Sequence, residues 1–419
     1  MIGIIADDVT GGTDAAVACH RQGLRTGIVF GDPRDGSIDS MWDVGVVALK
    51  TRTIPAAEAV ARSIVAAEAL RAHGADRLFL KYCSTFDSTP SGNIGPVLDA
   101  LVGLVGAGRV VTTPSSPEHG RTVYGGQLFV NGVPLAESPM RDHPLTPMRD
   151  SDLVRLLDGQ LPRPSSRVLP HDVVRAGAEA LRSAMSDPRH DSRYLFPDAI
   201  TDDDLLTIAR AAVDEPLLAG AAGLAGALAH AVAESRPARP RPAPGAAGAG
   251  RSIVLAGSCS RRTLEQIDAM DRAGRPLYRL DALVDQDPET LATRALRWYD
   301  SLLDDSPAPL IYASLPPEQL HAVQERLGVE RSAAVLEAAI SRVAQGVRER
   351  GVTRFVTAGG ETSGAVIAAL GVRGGEIGAE AARGVPWIHS DDGMRLLLKS
   401  GNFGEPDLLV RASEEEEAA

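Results

Sequence analysis

Short apolar runs, each closed by a turn of small or polar residues and followed by a longer Ala-rich segment, recur along this chain. That alternation constrains its fold more than any other feature. In the first half, residues 2–6, 26–30, 44–49, 77–82 and 110–113 read as strands, and 13–21, 56–72 and 94–105 as helices. In the second half, 252–256, 277–280, 310–313, 355–357 and 395–398 read as strands, with helices at 263–270, 333–350 and 363–370. Such alternation predicts an α/β fold whose mostly parallel sheets carry helices on both faces. The length, 419 residues, exceeds one ordinary core. SRPARPRPAPGAAGAGR (235–251) has no apolar period and reads as a linker. Two domains are therefore expected, 1–234 and 252–413, each a mostly parallel sheet flanked by helices, with an acidic tail at 414–419. The sequence contains no detectable internal repeat.

Composition narrows the function. Apolar residues make up 44% and charged residues 23%, as in globular proteins, whereas aromatics are 4% and offer few platforms for stacking bases. A formal net charge of −12 repels a phosphate backbone, so nucleic acid is not an expected partner. A local site of backbone N–H groups can still hold an anion. Cys19, Cys83 and Cys259 are odd in number and far apart, which indicates neither a disulfide framework nor a zinc site. MIGIIADD lacks the basic start of a signal peptide, and no strongly apolar stretch reaches the ~18 residues of a membrane span. A cytoplasmic protein with no membrane partner is expected.

In open α/β sheets, ligands gather beyond the carboxyl ends of the strands. The first strand is followed by Asp7-Asp8-Val9-Thr10-Gly11-Gly12-Thr13-Asp14. The strand ending at Tyr82 is followed by Cys83-Ser84-Thr85-Phe86-Asp87-Ser88-Thr89 and then Gly92-Asn93-Ile94-Gly95. Asp14 or Thr13, at a helix start, reads first as an N-cap. Asp7 and Asp8 differ. Adjacent carboxylates supply one cap at most, and their like charges repel unless a cation or a substrate compensates. Lys81, near a strand end, either snorkels or projects its ammonium into the same crevice. Carboxylates, hydroxyls, an amide, an ammonium and a helix N-terminus together suit a small polyhydroxylated acid. The carboxylates accept from its hydroxyls, and the cation and helix N-terminus hold its carboxylate.

Three glycine turns follow strands in the second half: Gly257-Ser258-Cys259-Ser260, Gly359-Gly360-Glu361-Thr362-Ser363-Gly364, and Lys399-Ser400-Gly401-Asn402-Phe403-Gly404. Such turns expose backbone N–H groups at helix starts and bind phosphates. One alone means little, because tight turns need glycine anyway. Three in one domain, with hydroxyls beside them, predict a nucleotide. Gly359 and Gly364 have P-loop spacing, yet Ala365 and Val366 stand where Lys and Ser/Thr are required, and no G-x-G-x-x-G follows the first strand. Charge compensation is then expected from Mg²⁺, with Lys399 beside it.

IADDVTGGTDAA, KYCSTFDSTPSGNIGPV, RDHPLTPM, GSCS, AGGETSGAV and LKSGNFG, in this order across 4–404, resemble the four-carbon acid sugar kinase family. Residues 81–96 are most like its 3-oxo-tetronate branch, rather than the threonate and erythronate branches. The resemblance implies a two-domain α/β kinase with its active site in the interdomain cleft. Its N-terminal domain would bind the sugar acid, its C-terminal domain ATP with Mg²⁺, and phosphate would pass to the acid's 4-hydroxyl. On the acid side it implies Asp7, Asp8, Lys81, Asp87, Asn93 and Gly95; the strand-end reading adds Ser84 and Thr85, and Arg141 is available as a carboxylate partner. On the ATP side it implies Ser258, Gly360, Glu361, Thr362, Ser363, Gly401, Asn402 and Gly404, with Ser260 from the first glycine turn. Two positions depart from the family pattern. Gly12 replaces an alanine, a swap expected to loosen the turn, and His119 replaces an asparagine, which bears on specificity if it meets the substrate. The expected partners are a sugar acid and ATP, and a homodimer is allowed.

Phosphoryl transfer needs positioning, charge neutralisation and in-line attack. A carboxylate of Asp7, Asp8 or Asp87 is expected to orient the 4-hydroxyl and take its proton, and the sequence leaves the choice open. The linker would act as a hinge whose closure excludes water. Two other classes compete. A phosphatase that forms an aspartyl-phosphate needs D-x-D, whereas Asp7 and Asp8 are adjacent, and it leaves the second half unexplained. A non-catalytic sugar-acid sensor would bind without turnover, and the glycine turns oppose it. Among kinases, the rival substrates are D-threonate and D-erythronate.

Overall fold

All five residues of Ile2–Ala6 (β1) are buried, because helices cover both faces of its parallel sheet; hence the unbroken apolar run. The computed structural model describes residues 1–34, 37–143, 146–235 and 250–414. The chain divides into two units between residues 241 and 242. The expected linker lies outside the described residues except for Ser235, Gly250 and Arg251, and so does the tail beyond Glu414.

In the first unit, β1 is followed by Val9–His20 (α1), Thr26–Phe30 (β2), Val44–Ala48 (β3), Ala56–Ala72 (α2), Arg77–Lys81 (β4), Ile94–Val105 (α3) and Val110–Thr113 (β5). A small antiparallel sheet of Arg121–Tyr124 (β6), Gln127–Val130 (β7) and Val133–Pro134 (β8) comes next. Then come Leu153–Asp158 (α4), Ser166–Leu169 (β9), His171–Arg175 (α5), Ala178–Met185 (α6), Tyr194–Pro197 (β10), Asp202–Ala212 (α7), Leu217–Gly220 (β11) and Ala222–Glu234 (α8). The main sheet runs β2-β3-β1-β4-β11-β5-β10-β9, every pair parallel.

The second unit contains Arg251–Ala256 (β12), Arg261–Arg272 (α9), Leu277–Arg279 (β13), Pro288–Asp300 (α10), Leu310–Tyr312 (β14), Pro317–Leu327 (α11) and Val329–Glu349 (α12). It continues with Val352–Ala358 (β15), Gly360–Leu370 (α13), Gly374–Ala382 (β16), Val385–His389 (β17), Arg395–Lys399 (β18) and Leu408–Glu414 (α14). Its strands run β13-β14-β12-β15-β18-β17-β16, the last two pairs antiparallel.

Both units open with one strand order, second-third-first-fourth: β2-β3-β1-β4 and β13-β14-β12-β15. In each, the chain leaves the first strand toward one side and later returns to pair on its other side. The connections therefore part at the carboxyl ends of β1 and β12, and that parting opens a crevice suited to a ligand. The topology repeats although the sequence does not.

Helix α1 starts at Val9, four residues before the sequence-based start, because Asp8 caps it: its carboxylate accepts from the Gly11 N–H at 2.9 Å. Gly12 consequently lies within the helix and not in a turn. A Cβ there would stand 2.7 Å from the Cβ of Ala48, so the glycine lets α1 pack tightly on the sheet. The loop after β4 is held differently. Phe86 adopts φ 53, a left-handed conformation that a bulky residue avoids. Its fully buried ring offsets that strain, meeting Tyr82 edge-on at 5.3 Å and Phe196 at 6.4 Å between centroids. Phe86→Ala should lower unfolding stability by about 3 kcal/mol, read by urea denaturation; a loss under ~1 kcal/mol would mean that the ring does not anchor this loop.

Candidate active site

At the parting of the first sheet, three strand ends bring their residues together. Ala6 of β1 is in register with Ala48 of β3 and Lys81 of β4. Beyond them, the Asp7 N–H donates to the Lys81 carbonyl at 3.0 Å, and the Asp7 carbonyl accepts from the N–H groups of Thr51 at 2.9 Å and Arg52 at 3.2 Å. The main chain thus seats Arg52 opposite the carboxylate pair. Its Nε donates to Asp7 Oδ2 at 2.8 Å, and its Nη2 to Asp7 Oδ1 at 2.8 Å and Asp8 Oδ1 at 2.7 Å. This guanidinium is the compensating cation that the adjacent aspartates require, and it fits them as a planar fork. Burial opposes its charge, but the Asp7 and Asp8 carboxylates overcome that and hold its pKa above the usual arginine value. Burial, and then the Asp7 charge, raise the Asp8 carboxyl above 3.8 despite Arg52 and Lys81.

The rest of the crevice is braced by side chains. Asn93 uses its amide on the Arg52 loop, donating from Nδ2 to the Thr51 carbonyl at 2.7 Å and the Ile54 carbonyl at 3.1 Å. Lys81 is buried and donates to the Tyr82 carbonyl at 2.9 Å, so it forms part of the floor instead of projecting into the opening. A Cβ at Gly11 would lie 2.3 Å from Asp8 Oδ1 and 2.8 Å from Lys81 Nζ, which is why glycine stands between them. Thr85 Oγ1 donates to Asp87 Oδ1 at 2.5 Å. Burial pushes the Cys83 thiol up to about 11, leaving it protonated at neutral pH and unsuited to nucleophilic work. Asp14, on α1, is also raised by burial, against the pull of Lys81 and His119.

In the second unit the three glycine turns meet. Ala256 of β12, Ala358 of β15 and Lys399 of β18 stand in register, and each is the last residue of its strand. The turns that follow interlock. A Cβ at Gly257 would lie 2.3 Å from Thr362 Oγ1, one at Gly359 3.1 Å from the Ser258 nitrogen, and one at Gly401 2.5 Å from Ser258 Oγ. Gly359, at φ 123, needs the freedom of glycine in its own right. Helix α13 begins with no side-chain cap, so the N–H groups of Gly360, Glu361 and Thr362 are left for a ligand. A cradle of amides and hydroxyls fits the phosphates of a nucleotide. Among the described residues, no three His, Cys, Asp or Glu side chains gather in a way that could hold a metal ion. A magnesium ion would therefore fit here as a passenger on those phosphates, the usual way this ion is bound.

Residues 2–228 match the family model described as a sugar-binding N-terminal domain, and 253–409 the one described as a nucleotide-binding C-terminal domain. A Burkholderia multivorans protein named 3-oxo-tetronate kinase is 45% identical, with 98% of this chain and 96% of that protein covered. One of the same name from Haemophilus influenzae is 38% identical, covering 98% and 99%. The chain belongs to the four-carbon acid sugar kinase family. Crystal structures of proteins from Salmonella typhimurium LT2 and Haemophilus influenzae share the fold of this family member at TM-scores of 0.91 and 0.86. Their identities are 39% and 37%, covering 99% and 98% of this chain and 98% of each of theirs. The Salmonella protein is named as a candidate tRNA synthase. No helix among the described residues is long and apolar enough to cross a membrane.

Several sequence-based assignments change in this light. The Gly95 N–H donates to Gln160 Oε1 at 2.8 Å, and a Cβ there would meet Gln160 at 2.8 Å, so Gly95 serves packing and its amide is committed. Arg141 is exposed and donates to the Ala136 carbonyl at 3.3 Å; no described bond joins it to the aspartate cluster. Ser84 is partly exposed at the mouth of the loop. Ser363 is buried, within 2.7 Å of Thr357 Oγ1 and donating to the Gly359 carbonyl at 2.8 Å, so it shapes its turn from inside. Glu361 and Asn402 are exposed, and Gly404 takes φ 79. Lys399 is 0% exposed and is in no position to reach a phosphate. Clefts of about 660 and 260 Å³ open at the amino ends of the strands, opposite these residues, and contain none of them. Arg52 is the residue missed. It follows a strand exactly one sheet position from Asp7, and reading LKTRT as a strand end would have found it. Arg52→Met should destabilise the protein by about 2 kcal/mol at pH 7.5, less than a fully buried broken pair because the cluster is partly exposed. Urea unfolding at pH 5 should show part of that loss restored, as the unpaired carboxylates take up protons; an equal loss at both pH values would contradict the clamp.

Proposed function

We propose that this chain is an ATP-dependent kinase that phosphorylates the 4-hydroxyl of a 3-oxo-tetronate. The observation that carries the reading is that relatives of that name are 41–45% identical over 98% of this chain, which itself has one strand-end cluster suited to an acid and another suited to phosphates. Residues 1–234 are assigned to the acid and 252–413 to ATP. A net charge of −12 argues against tRNA as a ligand. A cytoplasmic location belongs to the same proposal, since ATP is the phosphoryl donor.

The chemistry follows from which atoms remain available. Arg52 Nη1 makes no hydrogen bond among the described residues and is assigned to the substrate carboxylate, with Ser84 beside it, while Thr85 is buried and holds Asp87. Both oxygens of Asp7 are bound to Arg52, and Asp87 is buried. Asp8 has Oδ1 fixed by Gly11 and Arg52 while Oδ2 is unbonded, and its side chain is 29% exposed. Asp8 is therefore assigned as the base. The 4-hydroxyl oxygen forms a bond to the γ-phosphorus, the bond from that phosphorus to the bridging oxygen breaks, ADP leaves with the electron pair, and the hydroxyl proton passes to Asp8 Oδ2. The N–H groups of Gly360, Glu361 and Thr362 and the hydroxyl of Ser258 hold the phosphates, while the Ser260 hydroxyl is committed to the Gly401 carbonyl and fastens the facing turn of Gly401, Asn402 and Gly404. Bound Mg²⁺ would neutralise the charge shared by the β- and γ-phosphates.

A coupled ADP-release assay with Mg-ATP tests this reading. Turnover is expected with a 3-oxo-tetronate, well above that with D-threonate or D-erythronate; no ADP with any acid would overturn it. Asp8→Asn should lower kcat by about 10²–10⁴ and change the acid's KM little. Because the Asp8 carboxyl sits above 3.8, the rate of the wild type should fall on acidification through that raised value, as the base takes a proton. The same shift makes the folded state bind more protons than the unfolded one, so ionised Asp8 lowers stability as pH rises through that window. Asp8→Asn, which keeps the cap, should therefore retain or raise Tm while losing activity. A lowered Tm would point to a structural role for Asp8.

A further inference from the structure

Lys399 is a buried cation that the mechanism above leaves unused. Its ammonium is 0% exposed, at the end of the strand that enters the third glycine turn. It donates to Thr263 Oγ1 at 2.9 Å and to the Gly401 carbonyl at 2.8 Å. Both acceptors are neutral, and no carboxylate is among its hydrogen-bond partners. The Gly401 carbonyl accepts in addition from Ser260 Oγ at 2.6 Å and Thr263 Oγ1 at 3.0 Å. Gln266, one helical turn on in α9, donates to the carbonyls of Phe403 at 3.2 Å and Glu405 at 2.8 Å. The turn is thus fastened by its carbonyls to the start of α9; its Phe403 N–H donates to the Ser400 carbonyl at 3.2 Å, and the amides of Gly401 and Asn402 are left for a ligand. Burying an ammonium without a counter-ion is expensive, and a fold that needed only a fastening there could use neutral donors, as it does with Ser260, Thr263 and Gln266.

We propose that Lys399 is the positioning residue of the nucleotide turn: it draws the Gly401 carbonyl inward so that the turn's amides face the phosphates, and its missing counter-charge is the nucleotide itself. The inference rests on the assignment of these turns to ATP. The charged groups around it fit this role. Arg262 on α9 is a second cation, paired with Glu265 at 3.4 Å; β15 contributes Ala358 in register; and the first turn of α13 carries Glu361, which is exposed. Burial, helped by Arg262, lowers the Lys399 pKa to about 7. A polyphosphate arriving nearby favours the charged form, so nucleotide binding takes up a proton.

Equilibrium binding of Mg-ADP from pH 6 to 9, by calorimetry in two buffers of different ionisation enthalpy, tests this with the wild type and Lys399→Met. The wild type should weaken above pH 7, toward tenfold per pH unit, and take up roughly half a proton at pH 7. The variant should bind at least tenfold more weakly at pH 6.5, with a flat profile apart from the ligand's own phosphate titration near pH ~6. In assays its KM for ATP should rise while that for the acid does not. Wild-type binding that is independent of pH, with no proton uptake, would overturn the proposal, even if the variant failed to fold. So would a variant with wild-type affinity and profile. A wild type that bound no Mg-ADP at any pH would overturn the nucleotide assignment instead, and this inference with it. A lysine with a lowered folded pKa lends stability that is lost as pH falls through about 7. The nucleotide-free variant should therefore melt higher than the wild type at pH 6; an equal or lower Tm there would count against an uncompensated charge.

Discussion

Two adjacent carboxylates at the end of a buried strand are tenable because Arg52 closes on both. The clamp joins β1 to the loop after β3, and Asp7 makes it twice, through its carboxylate and through its carbonyl. Asn93, from the start of α3, then fixes the same loop from the other side. The orientation of Asp8, whose Oδ1 also caps α1, depends on this one cation. It also explains why the site tolerates so many charged groups in a small space: the fold itself supplies the compensation, and Nη1 remains for a ligand.

The nucleotide half reaches the same end by different chemistry. Its parting point lies at the end of β12, as that of the first unit lies at the end of β1. There the fold places backbone amides and hydroxyls in place of carboxylates. Its fully buried Lys399 stands behind the turn, shielded, where a P-loop would extend a lysine to the phosphates. One topology thus carries a carboxylate–guanidinium cluster in one unit and a cradle of amides and hydroxyls in the other, the difference set by the few residues beyond each first strand.

Much of the fold was legible because its central elements are strongly apolar. The helices at 56–72 and 94–105 and the strand at 110–113 fall where the pattern predicts them. Between 114 and 216 the pattern is nearly silent, since β6, β9 and α5 are short and half polar. The start of α1 was obscured by VTGG, poor helix formers that are helical here because Asp8 caps them and the sheet needs small residues against it. Asp7, Asp8 and the three glycine turns were visible as strand-end chemistry. Arg52 was visible only as one more strand-end residue, because its link to Asp7 is made by the pairing of β1 with β3 and by nothing in their spacing. The same holds for Gln160 on Gly95 and for the burial of Lys399.

The claim at the centre is that phosphate reaches the terminal hydroxyl of a four-carbon acid held by the Asp7–Asp8–Arg52 clamp. Proton-coupled ³¹P NMR of the reaction with Mg-ATP and a 3-oxo-tetronate reads this directly. A new phosphomonoester signal split into a triplet by the two C4 protons is predicted, growing about 10²–10⁴-fold more slowly with Asp8→Asn. A doublet, which would put the phosphate on the single-proton C2, or inorganic phosphate alone, would contradict it.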